Sequence, residues 1–147
     1  MTRLITRLFP NLNDRFSVTS SQTKIYNCVA WAAGETHRWW WPVDDPRYYW
    51  PHEVARDETV ECFVRAFETI GYSMCEDREV ESGFEKVAIY ADHYQFPTHM
   101  ARQLLSGTWT SKLGALEDIE HHFLDGLNGS QYGNVVQIMK RVTSLNP

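Results

Sequence analysis

Apolar positions recur at helical spacing in the first half of the chain and in short or alternating runs in the second. In segment 27–37, NCVAWAAGETH, small and apolar residues run unbroken from Cys28 to Ala33. This predicts a short, largely buried helix with Asn27 as its N-cap and Gly34 weakening its C-terminal end. In 59–70, Val60, Phe63, Val64, Phe67 and Ile70 repeat at three- and four-residue steps, and Gly71 closes the run. A second helix is predicted there. Between the two lies RWWWPVDDPRYYWPHE, whose three prolines and six aromatic residues exclude a regular helix. It is predicted to be a rigid loop wrapped on the core or lining a cleft.

Strand signals follow. Segment 86–91, KVAIYA, is a short β-branched and aromatic run. Segments 99–105 (HMARQLL) and 108–113 (TWTSKL) flank Ser106-Gly107, which predicts a hairpin. Residues 114–118 suggest a turn into a short helix over EDIEHHFLDGL, and 132–141 a last strand closing the sheet. Segment 10–22, rich in Pro, Asn, Asp and Ser, predicts a loop, so that 1–21 form an N-terminal extension and loop. Helices first and strands afterwards favour an α+β fold, with N-terminal helices packed on a small antiparallel sheet. The length suits one domain over 1–147.

Composition narrows the partners. At 43% hydrophobic residues and 14% aromatic ones, disorder over most of the chain is excluded. A net charge of -5 argues against a diffuse basic surface, so no nucleic-acid partner is expected. No apolar run approaches a membrane span, and residues 1–9 lack a signal-peptide core. A soluble, cytoplasmic protein with no membrane partner is expected, although a product of a dedicated export machine would look the same. Cys28, Cys62 and Cys75 contain no CxxC spacing, which removes zinc-ribbon and thioredoxin-type motifs. Free thiols fit a reducing compartment, with one disulfide plus one free thiol as the alternative.

Cys28 at a predicted helix start is the candidate nucleophile, because a helix N-terminus favours a thiolate and a histidine can accept its proton. Gln22, six residues upstream, can donate its side-chain amide to an oxyanion beside Cys28, whose own N–H is a second donor. His99 opens the predicted hairpin after loop 92–98. A Gln six residues before a helix-initial Cys, followed by a hairpin opening with His, resembles the papain-like cysteine peptidase superfamily and its compact NlpC/P60-like bacterial branches. The phrases YNCVAWA and HMARQLLSGTWTSKLGALEDIEH also resemble a family of small uncharacterised bacterial domains thought to share that fold. The resemblance spans Gln22 to His121 and implies Cys28 as nucleophile, His99 as general base and acid, and Gln22 as oxyanion donor.

The residue that orients His99 is less evident. The hairpin sets residues 112–114 across from His99, where no carboxylate occurs. Asp118 is the nearest acceptor and the favoured third member; Ser111 is a poorer substitute, and Glu117, Asn134 or a plain Cys–His dyad stay open. Trp39, Trp40, Trp41 and Trp50 are the candidate substrate wall, against the simpler role of core filler. His121 and His122 lie beside Glu117, Asp118 and Glu120, but no HExxH motif occurs, and a solvated helix is expected. No metal or cofactor is expected. Cys62 and Cys75 read as structural, and Arg102 and Lys112 as solvated.

The function expected is a thiol peptidase or amidase acting on a peptide or protein substrate through an acyl-enzyme. One alternative is a peptide- or partner-binding module using the aromatic loop 39–50. Another is an acyl transferase or deamidase of the same fold. In the plainest alternative, NCVAWAA is a core helix that happens to carry a cysteine.

Overall fold

The computed structural model describes residues 2–20, 23–114 and 116–143. In chain order the elements are α1 (Thr2–Leu8), a 3-10 turn (Pro10–Leu12), β1 (Phe16–Ser20), α2 (Cys28–Ala33), β2 (Trp39–Trp40), β3 (Tyr48–Tyr49) and α3 (Val60–Glu68). There follow β4 (Ser73–Cys75), β5 (Phe84–Ala91), β6 (Pro97–Gln103), β7 (Trp109–Lys112), β8 (Asp118–His121), a second 3-10 turn (Leu124–Leu127) and β9 (Asn134–Val142). Seven strands form one sheet in the order β1-β8-β7-β6-β5-β9-β4, and every pairing in it is antiparallel. Strands β2 and β3 make a separate parallel pair. Mixed helix and antiparallel sheet is therefore the architecture.

Local chemistry explains the two main helices. Asn27 Oδ1 accepts from Ala30 N, and Gly34 closes α2 in the left-handed conformation at φ 87°. Thr59 accepts from Cys62 N at the start of α3, whose buried residues fall on one face. The Ser106-Gly107 turn joins β6 to β7, with Gly107 at φ 97°.

Three expectations need correction. Residues 16–20 are an edge strand rather than loop, because Phe16 and Ser17 pair with His121 and Glu120 of β8. Residues 118–121 are that strand and not a helix: the turn at 113–117 returns the chain antiparallel to β7, with Leu113 N donating to Glu117 O. Only Leu124–Leu127 is helical there, as a 3-10 turn. Strand β9 does not close the sheet either. It lies between β5 and β4 and pairs antiparallel with both.

Side-chain alternation sorts the sheet into two faces. Val87, Ile89, Met100 and Met139 pack beneath α2 and α3 with Val29, Ala30, Phe63 and Phe67. Ala88, Tyr90, Ala101, Trp109 and Ile119 face the other way, under Ile5, Phe9, Leu12, Leu124 and Leu127. Lys86 is wholly buried, and its Nζ donates to Asp77 O and Glu79 O at 2.8 Å and lies 3.3 Å from the Glu81 carboxylate. It holds the loop before β5 by its carbonyls.

Candidate active site

Cys28 is the first residue of α2 and is 8% exposed. Asn27 anchors that helix end in two directions. Its Oδ1 accepts from both Ala30 N and Trp40 N at 3.1 Å, and its Nδ2 donates to Trp40 O at 2.8 Å. One buried side chain thus caps the helix and ties it to β2. Burial pushes the Cys28 thiol up to about 11. The Met100, Cys28 and Val29 backbone N–H groups and the Lys112 ammonium pull in the opposite direction. The last two N–H groups are donors of the first helical turn, which no carbonyl of the helix can satisfy.

The thiol opens on a cavity of about 330 Å³ lined by Trp39, Trp41, Val43, Tyr48, Thr98 and Gly114. Trp39 stands edge-on to Tyr48 and donates its Nε1 to Lys24 O at 2.7 Å, which fixes that wall. Trp39 and Trp41 are thus beside Cys28. Trp40 and Trp50 are not: they are 1% and 4% exposed in the core, with their indole N–H groups on Glu35 and Ala55 O. Alternation along WWW sends the middle ring inward.

His99 lies on the other face of the sheet. It pairs with Tyr90, while its neighbour Met100 pairs with Ile89 beneath α2. Its ring is 1% exposed, stacked on Tyr132 at 4.1 Å and 6° and edge-on to Tyr90. His99 Nε2 is 2.9 Å from Ser111 Oγ, which is 2.8 Å from His121 Nε2; His121 Nδ1 is 3.1 Å from Phe123 O. Burial holds the His99 imidazole well below its ordinary value, with His121 adding to the effect, and holds His121 down to about 4. His99 Nδ1 is buried and makes no hydrogen bond.

No hydrogen bond joins Cys28 to His99 among the described residues: Cys28 packs on the α2 side of the sheet and His99 lies on the other. The β6–β7 ladder runs through Arg102↔Thr110 and Gln103↔Trp109 and goes no further. Past it, Thr98, the residue before His99, lines the same cavity as Cys28. Cys28 thus packs on the α2 side of the sheet, where α2 lies against β6, the strand that carries His99.

Asp118 does not orient His99. It pairs with Lys112 on the α2 side of the sheet, where its Oδ2 accepts from Tyr26 and Ser20 hydroxyls, both at 2.6 Å. Ser111 takes the position beside His99 instead. Glu117 and Asn134 make no hydrogen bond to His99 either. Gln22 lies outside the described residues. Lys112 is not solvated: it is wholly buried, donates to Gly114 O at 2.7 Å and Leu116 O at 2.6 Å, and lies over the Tyr26 ring. It thereby braces the turn whose Gly114 forms part of the cavity wall. Arg102 is half-buried, with its guanidinium over Trp31.

His121 is the residue that sequence reasoning misplaced most. Its carboxylate neighbours suggested a solvated helix, but Ile119 and His121 alternate onto one buried face. That two-residue period was the available signal. Among the described residues no group of three or more His, Cys, Asp or Glu is placed to hold a metal ion. Cys28, Cys62 and Cys75 are all free thiols. No helix among the described residues is long and apolar enough to cross a membrane.

Residues 17–140 match the family model described as a domain of unknown function, DUF7689. That span includes both faces of the sheet, Cys28, His99, Ser111 and His121. Comparison with curated proteins and with solved structures gives no match.

Proposed function

We propose that this chain, which belongs to the DUF7689 family, is a cysteine-dependent hydrolase of peptide or amide bonds with a papain-like arrangement of helix and sheet. One observation carries the proposal: a helix-initial thiol lines an aromatic cavity that Thr98 also lines, and the next residue on that strand is a buried imidazole with a bare Nδ1. At neutral pH both groups are uncharged, because burial raises the thiol and lowers the imidazole. The chemistry is accordingly general-base catalysis rather than attack by a standing thiolate.

Cys28 Sγ bonds to the substrate carbonyl carbon as its proton passes to His99 Nδ1. The oxyanion is met by the Cys28 N–H at the head of α2, with Gln22 assigned as second donor. The carbon–nitrogen bond then breaks, and His99 returns the proton to the departing amine. Water cleaves the thioester with the same base and restores the thiol. The Cys28–His99 contact closes as substrate fills the cavity, since catalytic hydrogen bonds tighten in such complexes. Trp39, Trp41 and Tyr48 favour an apolar or aromatic acyl group.

The p-nitrophenyl ester of N-acetylphenylalanine tests this, with intact-mass analysis and peptide mapping. The expected outcome is nitrophenol release with a transient acyl adduct on Cys28 and none on Cys62 or Cys75. Release vanishes in Cys28→Ala and slows by about 10²–10⁴-fold in His99→Ala. An adduct confined to Cys75, or unchanged turnover in Cys28→Ala, would overturn it. The apolar cavity also supports a second reading, a binding module for an aromatic peptide side chain. Saturable binding of the matching amide without any adduct would favour that reading.

A further inference from the structure

We infer that Ser111 and His121 are positioning residues that fix the tautomer of His99, doing through a hydroxyl what a carboxylate on the neighbouring strand would otherwise do. The inference rests on the hydrolase proposed above and concerns the same site. It follows from the direction of three hydrogen bonds.

The Phe123 carbonyl can only accept, so His121 Nδ1, 3.1 Å away, must carry the proton. Neutral His121 then has a bare Nε2, which can only accept. Ser111 Oγ, 2.8 Å from it, therefore donates its single proton there. With that proton committed, Ser111 Oγ is an acceptor toward His99 Nε2 at 2.9 Å. His99 must carry its proton on Nε2, which leaves Nδ1 as the lone pair. Nδ1 is also the ring nitrogen that makes no hydrogen bond, and it is the one the proposed transfer uses. A backbone carbonyl at the far end of the chain of bonds thus sets which nitrogen of His99 can take a proton from the thiol.

Packing enforces the same orientation. Tyr132 stacks on the His99 ring and Tyr90 abuts its edge, so a ring flip would require both to move. Ser111 is fully buried, as is His121, so no solvent hydroxyl replaces the donor. When His99 accepts the thiol proton at Nδ1, its Nε2–H still donates to Ser111, and the relay needs no rearrangement. Ser111 keeps its proton throughout, because His121 is a neutral acceptor and not a base strong enough to remove it.

Nitrogen-15 NMR of histidine-labelled protein near neutral pH reads the tautomers without requiring activity. The expected result is His99 with Nε2–H and His121 with Nδ1–H. In Ser111→Ala, His99 should lose that single tautomer while His121 keeps its own, and acylation of Cys28 should slow on the order of 10-fold or more. Ser111→Thr, which retains the hydroxyl, should restore the wild-type His99 signal. A wild-type His99 carrying its proton on Nδ1 would overturn the inference, whether or not Ser111→Ala folds. So would an unchanged His99 signal and rate in folded Ser111→Ala. A fixed tautomer beside a Cys28 that never acylates would refute the hydrolase instead.

Discussion

His121 links the site to acid stability. An unfolded histidine takes up its proton near pH 6.5, whereas folded His121 holds off until about 4 because burial penalises its charge. Between those values the unfolded chain binds a proton that the folded chain does not. Stability is thus unaffected above pH 6.5 and falls as the pH drops toward 4. The loss through His121 is roughly 3 kcal/mol, and His99, depressed in the same direction, adds to it. Urea unfolding at a series of pH values should show this decline in the wild type and a shallower one in His121→Gln. Equal declines in both would remove His121 as the cause. The same residue governs the two behaviours: a histidine buried neutral is what allows Ser111 to act as a donor toward it.

At the scale of elements, α2 and the aromatic loop share one fastening. Asn27 supplies the helix cap and both of the hydrogen bonds to the Trp40 main chain. Asn27→Ala removes the cap and leaves a buried N–H and C=O without partners, at a cost of about 3 kcal/mol. Asn27→Ser, which retains the cap alone, should recover about 1 kcal/mol of that. Urea midpoints followed by tryptophan fluorescence would measure both, and a loss under 1 kcal/mol in Asn27→Ala would show that the loop holds without this tie. The cap was legible in the sequence because it is local: Asn27 and Gly34 bracket a run of small residues. The Ser106-Gly107 hairpin was legible for the same reason. Strands β1 and β8 were not, since FSVTS and DIEH acquire meaning only when paired with each other about a hundred residues apart. Asp118 misled for a related reason. It is near His99 along the hairpin, but the two-residue alternation of the sheet sends its side chain to the opposite face, and register is invisible in a single sequence. Ser111 and His121 fall on the correct face by that same parity.

Across the whole molecule, the chain's four lysines divide evenly. Lys24 is exposed and Lys140 half-exposed, its ammonium 3.2 Å from Glu81. Lys86 and Lys112 are entirely enclosed, each with two backbone carbonyls on its ammonium. One braces the loop entering β5; the other braces the turn between β7 and β8 that walls the cavity. An ammonium clasped by carbonyls in this way is shielded from electrophiles for as long as its turn stays shut. Acetylation with an N-hydroxysuccinimide ester should mark Lys24 and Lys140 at once, and Lys112 and Lys86 only at the rate of local opening. Early modification of Lys112 would show that its turn opens without the rest of the sheet. The two enclosed amines therefore act as built-in clocks, one timing the mouth of the cavity and the other the far side of the sheet, readable from a single mass spectrum.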